Sequence, residues 1–296
     1  MAVKLKRGKT ELGPRPPWLK VKTPTSGRIT ELDALIEREK LHTVCHSAAC
    51  PNRGECWQRG TATFMILGNV CTRSCGFCNV KTGRPTELDL DEPRRVAESV
   101  RLMKLKFAVV TSVNRDELAD GGASVWAATI QAIRQSSPGC GIEVLIPDFQ
   151  GNHAAQDLVF AQRPDVLNHN VETVPRIYIP VRPQAKFEQS LELLRRAKQA
   201  GLTTKSGFML GLGEEEPEVR ELLQALRGAN VDIVTIGQYL QPSPKHLQVA
   251  RYVHPDEFAA WKALALAMGF TKVDSGPLVR SSYHAEEALS FDSPLA

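Results

Sequence analysis

The chain has 296 residues, of which 42% are hydrophobic and 24% are charged, and its formal net charge is +4. These are the values of an ordinary globular protein that is long enough to bury a full core in one domain. No apolar run reaches the ~20 residues that span a bilayer, and the basic N-terminus lacks the apolar stretch of a secretory signal. Lysine and arginine do not cluster with aromatic residues, so nucleic acid is not an expected partner.

From residue 61 onward, apolar runs of strand length alternate with amphipathic helical segments. The strands are nearly continuous apolar runs, as expected when both faces of a parallel sheet are buried. The predicted strand and helix pairs are, in chain order, 61–68 and 93–105, 107–113 and 122–135, 142–148 and 153–162, 165–172 and 186–201, 203–213 and 214–228, and 231–240 and 255–269.

Six strand–helix units favour the α/β class, either as a closed barrel or as an open doubly wound sheet. We predict a partial (β/α)6 TIM-like barrel. An N-terminal cysteine-rich extension at 1–60, with one helix at 31–40, precedes the barrel at 61–275. A C-terminal segment at 276–296 closes over the barrel.

Six of the seven cysteines form two clusters between residues 45 and 78. The first cluster has gaps of four and five residues and the second has gaps of three and two; their members are Cys45, Cys50 and Cys56, and Cys71, Cys75 and Cys78. Without a signal peptide, clustered cysteines indicate metal ligands more than disulfides. Structural zinc is the alternative, but its ligand pairs usually have other spacings. An iron–sulfur cubane fits better, because each thiolate then binds a different iron.

The second cluster lies in CTRSCGFCNV, residues 71–80, directly after the first predicted strand. Loops that follow strands form the active face of β/α barrels. Three cysteines leave one iron open to another ligand, as a catalytic zinc keeps an open position. The spacing, with Phe77 before the last cysteine, resembles the radical S-adenosylmethionine superfamily. This resemblance implies that S-adenosylmethionine is the fourth ligand and that its cleavage gives a 5′-deoxyadenosyl radical.

The first cluster, CHSAACPNRGEC, together with the second resembles the lipoyl synthase family. Further segments carry this resemblance from about residue 15 to residue 285: RPPWLKVKTP, TSVNRDELADGGA, NHNVET, YIPVRP, GLGE, IGQYLQPSPKHLQV and RSSYHA. The resemblance implies an auxiliary 4Fe–4S cluster held by Cys45, Cys50, Cys56 and a serine of the RSSY motif. That serine is Ser281 or Ser282, and we favour Ser282, next to Tyr283.

The resemblance implies a sulfurtransferase that inserts two sulfur atoms at carbons 6 and 8 of an octanoyl group on the lysine of a lipoyl carrier domain. Two S-adenosylmethionines and two 4Fe–4S clusters are expected, the auxiliary cluster supplying the sulfur. Expected partners are the octanoylated lipoyl domains of dehydrogenase complexes, the glycine cleavage H protein, reduced ferredoxin or flavodoxin, and an iron–sulfur carrier that repairs the cluster. No membrane partner is expected, and the location is the cytoplasm or an organelle.

Four residues are candidates for cofactor contacts, each with a structural alternative. Phe77 covers the cluster or faces adenine, or simply packs. Asn170 and Glu172, in NHNVET at the end of the fourth strand, contact the cofactor or belong to a polar network at the barrel rim. Arg182 pairs with the cofactor carboxylate or anchors a loop.

Two other features have simpler explanations. The GLGE run, residues 211–214, lacks the Lys-Ser/Thr ending of a phosphate loop and predicts a tight turn before an acidic helix start. Cys140, in a PGCG turn, is interpreted as a small residue there.

Two alternative functions stay open. One is another two-cluster radical enzyme that inserts sulfur, such as a methylthiotransferase or a biotin-synthase-like protein. The upstream cysteines and the C-terminal RSSY segment argue against both. The second alternative is a binding module stabilised by metal and without catalytic activity. Iron and sulfide analysis separates the two classes, because zinc without sulfide would support the module.

Overall fold

The computed structural model of the chain describes residues 3–20, 38–39, 41–43, 52–283 and 285–289. The chain divides into two compact units. Unit A comprises Met1–Lys22, Arg73–Asn79 and His169–Ser281, and unit B comprises Thr23–Thr72, Val80–Asn168 and Ser282–Ala296. Cys45, Cys50 and most of the predicted helix 31–40 lie outside the described residues. Within the described ranges, no helix is long and apolar enough to cross a membrane.

Unit B is built on parallel strands. Its strands are β1 (His42–Thr43), β2 (Thr61–Ile66), β3 (Val70–Cys71), β4 (Lys81–Thr82), β5 (Phe107–Ser112), β6 (Gly141–Leu145) and β7 (Val166–Asn168). Strands β2, β5, β6 and β7 are neighbours in that order and run parallel, while β1 pairs antiparallel with β2. The helices of this unit are α1 (Arg53–Gln58), α2 (Glu92–Leu102), α3 (Ala123–Ser136) and α4 (His153–Phe160).

Unit A continues the alternation of strands and helices. Its strands β8 (Thr204–Leu210), β9 (Ile233–Gln238) and β10 (Lys272–Gly276) are parallel, with β9 in the middle. Its helices are α5 (Tyr178–Val181), α6 (Phe187–Gln199), α7 (Glu216–Gly228) and α8 (Pro255–Ala267). All six residues of β9 are buried, as are all six of β2 in unit B, which explains why these strands are nearly continuous apolar runs.

The helices begin and pack as their sequences require. Val96 and Val100 of α2 and Met103, its C-cap residue, are buried, and their spacing places them on one helical face. Helix α7 begins with a capping box in which Glu215 and Glu218 exchange side-chain and backbone hydrogen bonds. Gly201 follows α6 with a φ of +78°, a left-handed conformation that ends the helix at little steric cost.

The predicted α/β class is confirmed, with mostly parallel strands and a helix after each of the six predicted strands. Several details differ from prediction, and the short elements α1, α5, β1, β3 and β4 were not predicted. The fourth strand ends at Asn168, not at Glu172, and Glu172 itself has a φ of +68°, which is not an extended conformation. Strand β10 was not predicted, since KVDSG contains a single apolar residue, Val273. The predicted boundaries at residues 60 and 275 remain a prediction.

Candidate functional site

The loop that carries Cys71 begins where the first parallel strand, β2, ends. Cys71 itself lies on β3, and β3 pairs in parallel with β4 in the register Val70↔Lys81 and Cys71↔Thr82. The N–H of Gly83 also donates to the carbonyl oxygen of Cys71 at 2.9 Å. The backbone at Cys71 is therefore fixed within unit B, at the strand end where β/α enzymes place functional loops.

The loop after β5 also contacts Cys71. The backbone N–H of Asn114 donates to Cys71 Sγ at 3.3 Å, and the N–H of Thr72 donates to the Asn114 carbonyl oxygen at 3.1 Å. The Thr72 hydroxyl donates to Asp116 Oδ2 at 3.0 Å. A hydrogen bond to a cysteine sulfur is one of the features that tune the potential of an iron–sulfur cluster.

Two buried charged residues bind the backbone of Leu67, the first residue after β2. Leu67 has a φ of +67°, an unfavourable conformation for a residue with a branched side chain. Its N–H donates to Glu92 Oε2 at 2.6 Å, and its carbonyl oxygen accepts from Arg115 Nη1 at 3.0 Å. Burial raises the pKa of Glu92, against the effect of the N–H groups of Leu67 and Gly68. The direction of the chain toward Cys71 is thus set by side chains distant in sequence.

Residues 73–79, which carry Cys75 and Cys78, are anchored in unit A. The N–H of Gly76 donates to the Val181 carbonyl oxygen at 2.8 Å, and the N–H of Leu247 donates to the Gly76 carbonyl oxygen at 3.0 Å. A Cβ at Gly76 would lie 2.8 Å from Leu247 Cδ1, so this approach requires glycine. Both cysteines are half-buried.

Phe77 is partly buried against the hydrophobic core of unit A. This contact agrees with the packing role considered for Phe77, and its contact with a cofactor stays a prediction. Next to it, the imidazole of His246 lies 2.9 Å from the Cys78 carbonyl oxygen. No role was assigned to His246 from the sequence.

Arg182 binds the backbone of the NHNVET segment. Its Nη1 donates to the Asn170 carbonyl oxygen and to the Tyr178 hydroxyl, both at 2.8 Å. The Tyr178 hydroxyl lies 3.0 Å from Ser190 Oγ, which lies 3.0 Å from His169 Nε2. The loop-anchoring alternative for Arg182 is therefore realised in the structure, and the guanidinium lies beside the other two candidates of the segment.

Asn170 and Glu172 differ in what their side chains offer. In the described structure, Asn170 Oδ1 is buried and has no hydrogen-bond partner, which is uncommon for a buried polar atom. Burial raises the pKa of Glu172, while Arg182 and the hydrogen bond from Asn170 act in the opposite direction. The left-handed φ of Glu172 is held by two backbone hydrogen bonds to β8, with Gly207 and Met209, each of 2.9 Å.

Gly207 of β8 keeps the space beside Asn170 open. A Cβ at this position would lie 2.3 Å from Thr235 Oγ1 and 2.9 Å from Asn170 Oδ1. Real Cβ atoms do not approach other atoms so closely, so a larger residue would displace one of these side chains. The glycine therefore preserves the position of the unpartnered amide oxygen.

The GLGE run forms a tight turn after β8, as predicted. The buried Glu214 carboxylate accepts the N–H groups of Gly211, Leu212 and Gly213 at 2.6, 2.9 and 3.1 Å. Burial raises the pKa of Glu214, and these N–H groups oppose that effect. Because the carboxylate occupies the donors that a phosphate would need, this turn is not a phosphate loop.

Tyr283 of the RSSY motif and the residues that follow it contact α1, the helix that carries Cys56, and the residues just after α1, all within unit B. The Tyr283 hydroxyl lies 3.3 Å from both carboxylate oxygens of Glu55. Arg59 forms ion pairs with Glu286 at 2.5 Å and Glu287 at 2.6 Å. The Thr61 hydroxyl donates to Glu286 Oε2 at 2.8 Å. Burial raises the pKa of Tyr283, and Glu55 and Cys56 add to this effect.

Ser281, Ser282 and Cys140 are the remaining site candidates among the described residues. Ser282 belongs to unit B with Cys56, whereas Ser281 belongs to unit A. Among the described residues, no group of three or more His, Cys, Asp and Glu side chains is arranged to hold a single metal ion. A cubane differs from such a site, because its thiolates bind different irons. Cys140 is 3% exposed, and burial raises the pKa of its thiol to about 11, consistent with the small structural residue expected.

Sequence reasoning missed four residues that hold these loops: Asn114, Glu92, Arg115 and His246. Asn114 and Arg115 lie in TSVNRDELADGGA and His246 lies in IGQYLQPSPKHLQV, two segments that carried the family resemblance, so a signal was present. Glu92 had no such signal, because an acidic residue at a helix start reads as a partner of the helix dipole.

Comparison with known proteins defines the class first. The family model described as the radical SAM superfamily matches residues 65–236. Methylornithine synthase, of known crystal structure, has a TM-score of 0.56 and 14% identity over 90% of this chain and 88% of its own. SuiB of Streptococcus suis, in a structure bound to S-adenosylmethionine, has a TM-score of 0.59 and 8% identity over 83% of this chain and 53% of its own. At such identities these two structures show the shared fold alone, and the family match shows that the chain is a radical SAM protein.

Curated relatives identify the particular family. The lipoyl synthase of Rubrobacter xylanophilus is 61% identical over 92% of this chain and 86% of its own. The mitochondrial lipoyl synthase of Nematostella vectensis is 58% identical over 93% of this chain and 95% of its own. The lipoyl synthase of Christiangramia forsetii is 55% identical over 96% of this chain and 97% of its own. The chain belongs to the lipoyl synthase family.

Membership of the radical SAM superfamily implies a 4Fe–4S cluster and S-adenosylmethionine. The residues present fit this pair of groups. Three thiols within eight residues supply soft ligands for iron. The buried, unpartnered Asn170 Oδ1 supplies a hydrogen-bond acceptor that a polar ligand would satisfy.

Proposed function

We propose that this protein inserts two sulfur atoms at carbons 6 and 8 of an octanoyl chain that is amide-linked to a lysine of a carrier protein. The support is the identity of 55–61% to lipoyl synthases over 92–96% of the chain. The target carbons bear C–H bonds that are not acidic, so no side-chain base can remove their hydrogens. When bound, the cluster and S-adenosylmethionine supply the carbon radical that this chemistry needs.

The observation that carries the proposal is the packing of the RSSY segment on α1. Tyr283, Glu286 and Glu287 bind Glu55 and Arg59, which flank Cys56 in sequence. This arrangement supports a second 4Fe–4S cluster, the sulfur donor, bound by Cys45, Cys50, Cys56 and Ser282. We favour Ser282 over Ser281 because Ser282 shares a compact unit with Cys56. A serine oxygen is a harder and poorer ligand for iron than a thiolate, which suits a cluster that is consumed as substrate.

In this proposal Cys71, Cys75 and Cys78 hold the cluster that binds S-adenosylmethionine. The N–H of Asn114 donates to the Cys71 sulfur, and His246 holds the Cys78 carbonyl, so the chain fixes two of the three ligands from outside the motif. Asn170, Glu172 and Arg182 would contact polar groups of S-adenosylmethionine. Support comes from the open acceptor on Asn170 and from the closeness of Arg182 to both neighbours. Phe77 would border the same site.

The same proposal defines the partners. The substrates would be octanoylated lipoyl domains of dehydrogenase complexes and the glycine cleavage H protein. Reduced ferredoxin or flavodoxin would supply electrons, and an iron–sulfur carrier would rebuild the consumed cluster. The net charge of +4 favours acidic proteins among such partners.

The test is anaerobic. The protein is reconstituted with iron and sulfide, and dithionite, S-adenosylmethionine and an octanoyl-lysine peptide are added. Mass spectrometry should show a reduced product that has gained two sulfur atoms, with about two 5′-deoxyadenosines formed per product. Deoxyadenosine without sulfur gain would move the substrate elsewhere. Its absence from protein shown to contain both clusters would overturn the assignment of Cys71, Cys75 and Cys78.

A pair of serine variants tests the auxiliary site. Ser282→Ala should abolish sulfur gain yet leave deoxyadenosine formation measurable, because the other cluster is intact. Ser281→Ala is the matched control and should insert sulfur as the parent does. The reverse pattern would assign the ligand to Ser281.

A further inference from the structure

The N-terminal strap, residues 3–10, runs antiparallel to residues 244–249 of unit A. The N–H of Gly8 donates to the Pro244 carbonyl oxygen at 3.0 Å, and the N–H of Gln248 donates to the Lys6 carbonyl oxygen at 2.9 Å. An isolated bridge joins Arg7 to Leu247. The strap is thus held to unit A mainly through its backbone, by these two hydrogen bonds and one isolated bridge.

The side chains of residues 3–6 alternate between half-buried and exposed, and Arg7 is exposed like Lys6 before it. Val3 and Leu5 pack against the hydrophobic core of unit A. The exposed members are all basic, namely Lys4, Lys6, Arg7 and Lys9. Lys245, on the segment that pairs with the strap, is also exposed. These five exposed basic side chains form a cationic strip along the strap and the adjacent residues 244–249.

The strip lacks acidic partners of the kind that some exposed cations of this protein have. On the helices, Arg94, Arg101 and Arg195 each pair with a carboxylate one turn away. Within the described residues, Lys4, Lys6 and Lys9 form no ion pair. Glu11 is the one acidic residue among residues 3–20. Uncompensated charges of one sign create a potential that attracts acidic surfaces.

The strip borders the segment that carries Cys75 and Cys78. The segment between them, residues 244–249, binds both the strap and the cysteine segment. Its contacts with the cysteine segment run from the Leu247 N–H to the Gly76 carbonyl oxygen and from His246 to the Cys78 carbonyl oxygen. The strap therefore lies about 4.8 Å, the usual spacing of hydrogen-bonded chains, from residues 244–249, which contact the cysteine segment. A macromolecule that delivers a group to this segment would have its own surface near the strip.

We propose that the strip formed by Lys4, Lys6, Arg7, Lys9 and Lys245 docks a carboxylate-rich face of the octanoylated carrier protein. This inference rests on the proposed function, and it adds where the protein substrate binds. A protein partner is favoured over nucleic acid because residues 3–10 contain no aromatic side chain on which a base could stack. The contact would be electrostatic, so it should act on association and depend on salt.

The variant Lys4→Glu/Lys6→Glu/Lys9→Glu tests the strip and keeps Arg7, whose guanidinium binds the Lys245 carbonyl. The matched control is Lys104→Glu/Lys106→Glu/Lys262→Glu, which makes the same change in net charge at exposed positions outside the strap. The first readout is the affinity for octanoylated glycine cleavage H protein, measured by biolayer interferometry. The second readout is the dithionite-driven conversion of two substrates, the H protein and a short uncharged octanoyl-lysine peptide. Iron and sulfide per chain should equal those of the parent in both variants.

At low ionic strength the strip variant should bind the H protein roughly tenfold more weakly and show a KM raised by a similar factor. Peptide conversion and the control variant should match the parent, and added salt should reduce the difference. Unchanged H-protein affinity, an equal loss with the control, or an equal loss on the peptide would each overturn the proposal. The proposal would also be overturned if the strip variant differed from the parent only when ferredoxin replaced dithionite. A parent that retained RNA, together with a strip variant whose KM is unchanged, would overturn it as well.

The binding arm separates this proposal from the proposed function. If the parent binds the H protein through the strip but adds no sulfur, the function fails and the docking surface stands. If the parent adds sulfur and the strip variant binds as well as the parent, the docking surface fails and the function stands.

Discussion

The imidazole of His246 joins the cysteine segment to its neighbour in unit A: Nε2 lies 2.9 Å from the Cys78 carbonyl oxygen, and Nδ1 lies 2.9 Å from Ser243 Oγ. Since a carbonyl oxygen can only accept, Nε2–H is the donor, and in the neutral ring Nδ1 accepts from the Ser243 hydroxyl. The turn after β9 that carries Ser243 and His246 thus holds the backbone of Cys78, a proposed cluster ligand.

Replacing His246 by phenylalanine should loosen the Cys78 backbone without removing a thiol. The lost hydrogen bond corresponds to about 1–2 kcal/mol of local stability, so a chelator should remove iron roughly tenfold faster. His246→Gln should restore part of the protection, because its amide can donate to the same carbonyl. His153→Phe, at an exposed histidine of α4, is the control. Iron release is followed by absorbance, and equal rates in the two phenylalanine variants would refute this role.

A methyl group at Gly207 should weaken binding of S-adenosylmethionine. The added Cβ would lie 2.3 Å from Thr235 Oγ1 and 2.9 Å from Asn170 Oδ1, so one of these side chains must move. We expect Gly207→Ala to lower affinity at least about tenfold and stability by ~1–3 kcal/mol. Gly139→Ala, where a Cβ would meet no atom within 4 Å, should change stability by less than ~0.5 kcal/mol. Equilibrium dialysis on anaerobic protein and urea unfolding give both values.

Glu92 should make a pH-dependent contribution to stability. Its folded pKa lies above its ordinary value of 4.5, chiefly because of burial. A group of this kind favours folding most below the unfolded pKa, and this contribution is lost as pH rises through the folded pKa. Glu92→Gln does not titrate, so its stability relative to the parent should improve from about pH 4 to about pH 8. Urea unfolding across this range measures the difference, and a parallel pH profile for both proteins would contradict the prediction.

The ion pairs of Arg59 should matter for sulfur insertion more than for radical formation. Arg59→Ala removes the contacts to Glu286 and Glu287, which are partly exposed, so the direct loss is only about 1 kcal/mol. Detachment of the RSSY segment from α1 should nevertheless lower sulfur insertion several-fold while deoxyadenosine formation persists. Arg101→Ala, which breaks an exposed pair with Glu98 on α2, serves as the control. A matching fall in both activities would assign Arg59 a general structural role.

Cys140 should resist alkylation in the folded protein. Its thiol is 3% exposed and its pKa is raised to about 11, so almost no thiolate exists near pH 8. In cluster-free protein, iodoacetamide should modify the half-buried Cys75 and Cys78 well before Cys140, as read by peptide mass spectrometry. Urea should remove the difference. Early labelling of Cys140 without urea would show that this region opens.

Much of the fold could be predicted from sequence because the burial of one or both faces of an element sets the spacing of its apolar residues. The continuous apolar run of β2 and the spacing of Val96, Val100 and Met103 in α2 both follow from which faces are covered. The cysteine motifs could also be predicted, since short spacings are a local property of the chain. The early end of the fourth strand could not be predicted. Neither could the left-handed φ of Glu172, which is held by hydrogen bonds to β8, a partner distant in sequence.

By itself the sequence determined the α/β class, the six strand–helix units, the family, and the thiols proposed to hold iron. Only the tertiary structure decided which residues hold those thiols and their loops in place: Asn114 at Cys71, His246 at Cys78, and Glu92 at Leu67. It also decided that the basic residues of the N-terminus line one exposed strip beside the cysteine segment. The physical reason is that periodicity and motif spacing are encoded over a few residues, whereas these contacts join residues 25 to 240 positions apart in sequence, as between Leu67 and Glu92 or Arg7 and Leu247.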